Sequence, residues 1–248
     1  MLKIVDLNYS YHDKFGKKEA LKNVNLELNR GEIIGLFGEN GAGKTTFMKS
    51  VLQILNHTGE ILLDGESLGK KNIEKLSFGT CEHTFFPNLT PEAHAEFYKM
   101  YFKAFRDKRF KVLMDFFELP LKKPVRSFST GQKNQFEVIM ALCQGADFIF
   151  LDEPFVGSDI FNREDFYKVL LGILEPTETI VLSTHLIEEV ENFIGRAVLI
   201  KNGEIIGDVN VLELEEQGNN LIDYIKESYD YKNRVNKVIE ALNGGEKL

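Results

Sequence analysis

The chain of 248 residues lacks any apolar run long enough to cross a bilayer. Its first residues, Met1-Leu2-Lys3-Ile4-Val5-Asp6, lack a signal-peptide core. It has two cysteines, Cys81 and Cys143. They suit a reducing cytosol, exclude a disulfide framework and supply no metal-spaced pair. A basic patch interleaved with aromatics is missing too. Lys and Arg total 30 against 38 Asp and Glu, for a net charge of −8. That balance makes nucleic acid a poor candidate partner. Low-complexity tracts and internal repeats are absent. The 43% hydrophobic content is enough to bury a core without staples. The expectation is one domain over 1–248, with lobes.

What is present centres on Gly38-Glu39-Asn40-Gly41-Ala42-Gly43-Lys44-Thr45, the G-x-x-x-x-G-K-T pattern of a phosphate-binding loop. The apolar run Glu32 to Phe37 before it reads as a buried strand. After it, Phe47, Val51 and Leu55 recur at helical spacing. Strand, glycine loop and helix together aim backbone N–H groups and a helix N-terminus at an anion. Gly38, Gly41 and Gly43 permit backbone shapes that a Cβ would block. Lys44 is placed to reach the β- and γ-phosphates, and the Thr45 hydroxyl to bind Mg²⁺. Net acidity does not oppose this, because distant carboxylates are screened beyond about 8–10 Å.

Around the loop, residues 1–37 mostly alternate apolar and polar positions, as half-exposed antiparallel strands do. Asp13 to Lys18 is the turn between them. Tyr11, just before it, is either a base-stacking ring or a half-buried strand tyrosine. Asp64-Gly65 marks a second hairpin over 59–66. Lys75 to Thr80 reads as a strand ending near Cys81 and Glu82. Residues 85–145 read as a helical lobe: Phe97, Tyr101 and Phe105 recur every fourth position, and Phe110, Leu113, Met114 and Phe117 form a second face. Core packing is the favoured reading of the aromatic stripe, with part of the lobe offering a groove to a partner. Ser129-Thr130-Gly131-Gln132 fits a capping box opening the next helix. Phe148 to Leu151 and Thr179 to Thr184 read as buried parallel strands, and residues 164–174 as a helix. The tail from about 204 starts as a strand and continues as one or two amphipathic helices, with Leu221, Tyr224, Ile225, Val235, Val238, Ile239 and Leu242 on apolar faces. Alternating strands and helices predict a P-loop NTPase core of α/β class with a largely parallel, RecA-like sheet. An N-terminal antiparallel β subdomain and an inserted helical subdomain accompany it. Ligands bind such a sheet at the strands' C-terminal edge.

Phosphoanhydride hydrolysis needs charge neutralisation, a positioned water and a proton acceptor. Asp152, ending a buried strand, could hold Mg²⁺ through water. Glu153 points elsewhere and could reach the attacking water, a role worth roughly 10²- to 10⁴-fold. His185 could register the γ-phosphate. Alone, Asp152-Glu153-Pro154 reads first as a polar strand end, and a lone strand-end histidine as structural.

The ordered set decides: the P-loop, Phe128 to Gln132 opening a helix, Phe148 to Pro154, Gly157-Ser158-Asp159, and Ser183-Thr184-His185. This set resembles the ATP-binding subunit of ABC transporters, over nearly the whole chain to about residue 210. The resemblance implies ATP and Mg²⁺ as cofactors, with Tyr11 on adenine and Asn40 and Thr46 among the phosphate-loop contacts. It implies a head-to-tail dimer of ATP-binding subunits in which Ser129, Gly131 and Gln132 of one chain face the γ-phosphate held by the other. Asp159 would sit at that interface, with Glu153 the base. The further implication is a separate transmembrane permease subunit, with this chain cytoplasmic and peripheral to the membrane. Its ATPase activity would then power export of a peptide, drug or other small molecule. A soluble ABC-type ATPase acting in protein or ribosome assembly is the alternative.

Three motifs depart from the family pattern. Phe128 and Thr130 replace residues of the usual Leu-Ser-Gly-Gly-Gln. Ser158 stands where leucine is usual. Alignment on Pro87-Asn88-Leu89-Thr90 puts Cys81 at the usual glutamine position and Glu82 next to it, and leaves open which of the two fills it. Exporters of bacteriocins and lantibiotics often carry an acid here, and a glutamate would coordinate Mg²⁺ where cysteine would not.

Overall fold

A computed structural model describes residues 1–14, 16–154 and 160–230. Gly157-Ser158-Asp159 and the tail positions Val235, Val238, Ile239 and Leu242 lie outside the described residues. β1 (Leu2–Asp13) and β2 (Gly16–Leu28) pair antiparallel, Leu2 opposite Leu28. Val24, Leu26 and Leu28 are buried while Asn25 and Glu27 are exposed, as the period of two requires. β3 (Ile33–Phe37) leads through the glycine loop into α1 (Lys44–Val51). β4 (Thr58–Leu63) pairs with β1, and β5 (Glu66–Ser67) folds back on it. The turn residues Asp64 and Gly65 take φ of 53° and 85°, the two positive values that a tight two-residue hairpin needs.

The remaining elements in chain order begin with β6 (Leu76–Gly79), α2 (Pro91–Tyr101) and α3 (Asp107–Phe116). Then come α4 (Thr130–Cys143), β7 (Phe148–Asp152), α5 (Ile160–Ile173) and β8 (Thr179–Ser183). The described chain closes with α6 (Ile187–Val190), β9 (Arg196–Lys201), β10 (Glu204–Asn210), α7 (Val211–Glu216) and α8 (Leu221–Ser228).

Among the described residues the strands form two sheets, ordered β2-β1-β4-β5 and β10-β9-β3-β8-β7-β6. The second is parallel except at β9–β10. Its middle strands are covered on both faces. Phe148 and Phe150 of β7 face the small sheet and α1, packing with Leu26, Phe47 and Met48. Ile149 and Leu151 face the helical side with Ile139 and Met140. That is why this stretch is continuously apolar. The fold is α/β with an antiparallel β subdomain, a mixed, largely parallel sheet and added helices.

Three details differ from the sequence expectation. The helix carrying Phe97 stops at Tyr101, so Phe102 and Phe105 lie outside it. Docking onto the end of α4 overrides the aromatic period: Arg106 N–H donates to Cys143 O at 2.8 Å. Ala104 O lies over Gly145, where a Cβ would come within 2.2 Å of it. α5 begins at Ile160 rather than 164. β9 was not anticipated, although Ala197 to Ile200 is a short apolar run; it pairs parallel with β3 and flanks the glycine loop.

The helical lobe is pinned to the core by a buried ion pair. Arg109 of α3 donates to Glu178 Oε1 and Oε2 at 2.9 and 2.8 Å, to Leu142 O at 2.9 Å and to Ile173 O at 2.5 Å. Behind the glycine loop, Tyr229 O–H donates to Ile200 O at 2.7 Å.

Candidate nucleotide-binding site

β3, β7 and β8 run parallel, so their C-terminal ends deliver the glycine loop, Asp152-Glu153 and His185 to one edge. A cleft of about 610 Å³ opens there. Asn40, Gly41, Gly43, Lys44, Thr45, Thr46, Asp152, Glu153, His185 and Tyr11 all line it. Gly41 and Gly43 have φ of 79° and 116°. A Cβ on Gly43 would come within 2.9 Å of Ala20 O, so the loop needs glycine for both shape and room. Gly43 is the N-cap of α1 and supplies no side-chain cap, so the helix's first N–H groups face the cleft uncapped by any side chain. Gly38 sits at the base, where a Cβ would meet Ile200 O at 2.6 Å.

Lys44 Nζ donates to Gly38 O at 2.7 Å. Burial pulls its pKa down, and the charges of Glu153 and Asp152 oppose that pull. Thr45 Oγ1 donates to Asp152 Oδ2 at 2.5 Å. Ser183 O–H donates to the other oxygen, Oδ1, also at 2.5 Å. Both carboxylate oxygens are thus oriented across the seam between loop and sheet. Glu153 Oε1 lies 3.0 Å from His185 Nε2. Burial pushes the Glu153 carboxyl up, Asp152 adds to the rise and Lys44 opposes it. Burial, helped by Lys44, pushes His185 down, which favours its neutral form. The raised carboxyl of Glu153 is the better suited to take a proton from a water in the cleft.

The residues fit a magnesium nucleotide. An uncapped helix start and a lysine suit phosphates. One hydroxyl and one carboxylate suit a hard cation that takes its other ligands from phosphate and water. Among the described residues no cluster of three His, Cys, Asp or Glu forms a metal cage.

Tyr11 is 45% exposed, and its O–H lies 3.1 Å from Thr46 Oγ1. It lines the cleft, and its ring packs edge to face with Tyr9 at 4.9 Å between centroids. Ser129 opens α4 with both arms of the capping box: Gln132 N–H donates to Ser129 Oγ at 3.2 Å, and Ser129 N–H to Gln132 Oε1 at 3.0 Å. Ser129, Gly131 and Gln132 do not line the cleft of their own chain.

Glu82 calls for a correction. It is half exposed and its carboxylate pairs with Lys49 of α1, outside the cleft lining. Cys81 also turns away, its thiol 3.2 Å from Glu153 O. Burial pushes that thiol up to about 11, so it stays protonated. Sequence reasoning also missed Lys18 and Lys22, which line the cleft from β2 with Ala20 between them. Their spacing puts them on one strand face, a signal that was there to be used. The role of Ser183 carried no such signal.

Fold and loop define a P-loop nucleotide-binding ATPase. The family model for ABC transporters matches residues 21–156, and the chain belongs to that family. It is similar to the ABC transporter ATP-binding protein YtrB of Bacillus subtilis, 28% identical over 91% of this chain and 76% of the relative. Similarity to the lantibiotic transport ATP-binding protein SrtF of Streptococcus pyogenes is 29% over 91% of this chain and 99% of that one. A dimeric ATP-binding cassette in a post-hydrolysis state, bound to ADP and Pi, superposes with a TM-score of 0.74. It is 24% identical and covers 85% of this chain and 98% of its own. The chain is therefore an ABC-type ATPase of the transport class. No helix among the described residues is long and apolar enough to cross a membrane.

Proposed function

We propose that this chain is a single ATP-binding domain that hydrolyses Mg-ATP to drive a separate transmembrane permease, exporting a peptide, drug or other small molecule. The observation that carries the reading is the 2.5 Å Thr45–Asp152 bond, which joins loop to strand end with Glu153 and His185 in the same cleft. Lys44, the glycines, Asn40 and Thr46 hold the phosphates. Thr45 and Asp152 hold Mg²⁺, Glu153 accepts the water's proton and His185 contacts the γ-phosphate. Tyr11 stacks on adenine. A second copy supplies Ser129, Gly131 and Gln132, consistent with their exclusion from their own cleft.

The permease has a surface to meet. Phe86, Met100 and Tyr101 of the helical lobe are 55, 74 and 63% exposed. Phe86 on the loop after β6 and Met100 and Tyr101 at the end of α2 present exposed apolar area. A relative named for lantibiotic transport supports a peptide cargo. Such a chain works on the cytoplasmic face of the membrane.

Phosphate release from Mg-ATP tests the reading. Activity per chain should rise with protein concentration, because the complete site needs two copies, and chelating Mg²⁺ should abolish it. Rates per chain that are independent of concentration would overturn the shared site.

A further inference from the structure

Glu153 holds φ at 49°, a left-handed shape that residues with a Cβ adopt only where neighbours impose it. The neighbours are identifiable. On one side, Glu153 N–H is 3.1 Å from both the carbonyl and the hydroxyl oxygen of Ser183. On the other side, Glu153 O accepts from the Cys81 thiol at 3.2 Å. β8 thus fixes one end of the peptide and Cys81 the other.

Cys81 is itself held. It belongs to the loop that leaves β6, and two residues after Glu82 the Thr84 N–H donates to Glu137 Oε1 at 3.1 Å. Glu137 sits on α4, 3% exposed, two turns beyond the Ser129 cap. α4 therefore anchors the loop at Thr84, three residues along the chain from the thiol that meets the Glu153 carbonyl.

We infer that Cys81 is a positioning residue: its thiol clamps the strained Glu153 peptide and keeps the carboxylate beside His185. The inference rests on the reading of Glu153 as the proton acceptor. It gives the cysteine at this position a task on the backbone instead of at the cation.

The test measures steady-state phosphate release by the full chain over a range of ATP concentrations. For Cys81→Ala the expected kcat is about three- to tenfold below wild type with KM nearly unchanged, as for loss of one weak donor that acts on the base alone. Cys81→Ser keeps a donor and should restore most of kcat. A wild-type kcat in Cys81→Ala, a change confined to KM, or a Cys81→Ser variant as slow as Cys81→Ala overturns the inference. If Cys81→Ala does not fold, Cys81→Val, which has no donor and is close to cysteine in size, replaces it: a slow valine variant beside a near-wild-type serine variant supports the clamp, and equal rates in the two overturn it. Glu153→Gln separates the two readings. If it hydrolyses ATP like wild type, the base assignment falls and the clamp with it. If it is dead while Cys81→Ala is normal, the clamp alone falls.

Discussion

Two regions, the phosphate bank of the cleft and the helical bank outside its lining, are built from different materials. The phosphate bank is backbone: Gly41 and Gly43 at positive φ, uncapped N–H groups of α1, and Lys44 lying on the loop's own carbonyls. The helical bank, the lobe with the loop after β6, is held by side chains from distant positions. Arg109 grips Glu178 across 69 residues, and Glu137 holds Thr84 across 53. A ligand cradle must be rigid before the ligand arrives, and glycine-shaped backbone supplies that. A lobe that meets a partner can be set by a few polar bonds, each of which can be tuned or broken.

Removing a charge from each bank should expose the contrast most clearly. Lys44→Ala should lower phosphate release by about 100-fold or more while leaving the fold intact, since the lost group acts on phosphate charge. Phosphate assay and a urea melt on the same sample check both halves. Arg109→Met should do the reverse. It leaves Glu178, 1% exposed, buried without its main cation, at a cost on the order of 3 kcal/mol in a urea titration. Adding Glu178→Met should recover most of that loss. A single variant as stable as wild type would mean that the lobe is held by its apolar contacts alone.

Much of the phosphate bank was legible from the chain. The eight-residue loop and the strand before it follow local rules of spacing, Asp152, Glu153 and His185 were legible only as members of the ordered set of motifs, and the structure gathers them into one cleft. The capping box at Ser129 was equally local. The other bank was not legible, for a physical reason: nothing near Glu137 in sequence says that it will meet Thr84, and nothing near Cys81 says that its thiol will find Glu153 O. Position in the chain did not reveal the partner of Glu82 either: it lies past the end of β6, where the largely buried Lys49 of α1 captures it. β9 escaped notice because a run of four apolar residues fits a strand or a buried helix equally.

Glu137 offers a finer probe of the side-chain bank. Burial lifts its carboxyl to about 7, against the backbone N–H groups that favour the ion. The folded state therefore holds a proton that the unfolded state releases near its ordinary value of 4.5. That contribution is complete below about pH 4.5 and is lost as pH rises through about 7. Wild type should lose on the order of 2 kcal/mol relative to Glu137→Gln between about pH 5 and 8. Parallel pH profiles of the two urea midpoints would remove Glu137 from the account.

The smallest expected effect is in the cleft lining. Tyr11→Ala should weaken ATP binding by about fivefold, the loss of one exposed aromatic contact. Tyr11→Phe should keep most of the affinity, because the ring matters more than the O–H to Thr46. Titration with a fluorescent ATP analogue distinguishes them. Equal loss in both variants would assign Tyr11 to the Thr46 contact instead.

Light scattering of Glu153→Gln with and without ATP reaches the centre of the account, in which each nucleotide is shared between the glycine loop of one copy and the Ser129 turn of another. The expected result is a doubling of mass on adding ATP, undone by Ser129→Arg at the α4 cap. A Glu153→Gln chain that stays monomeric in saturating ATP would contradict it.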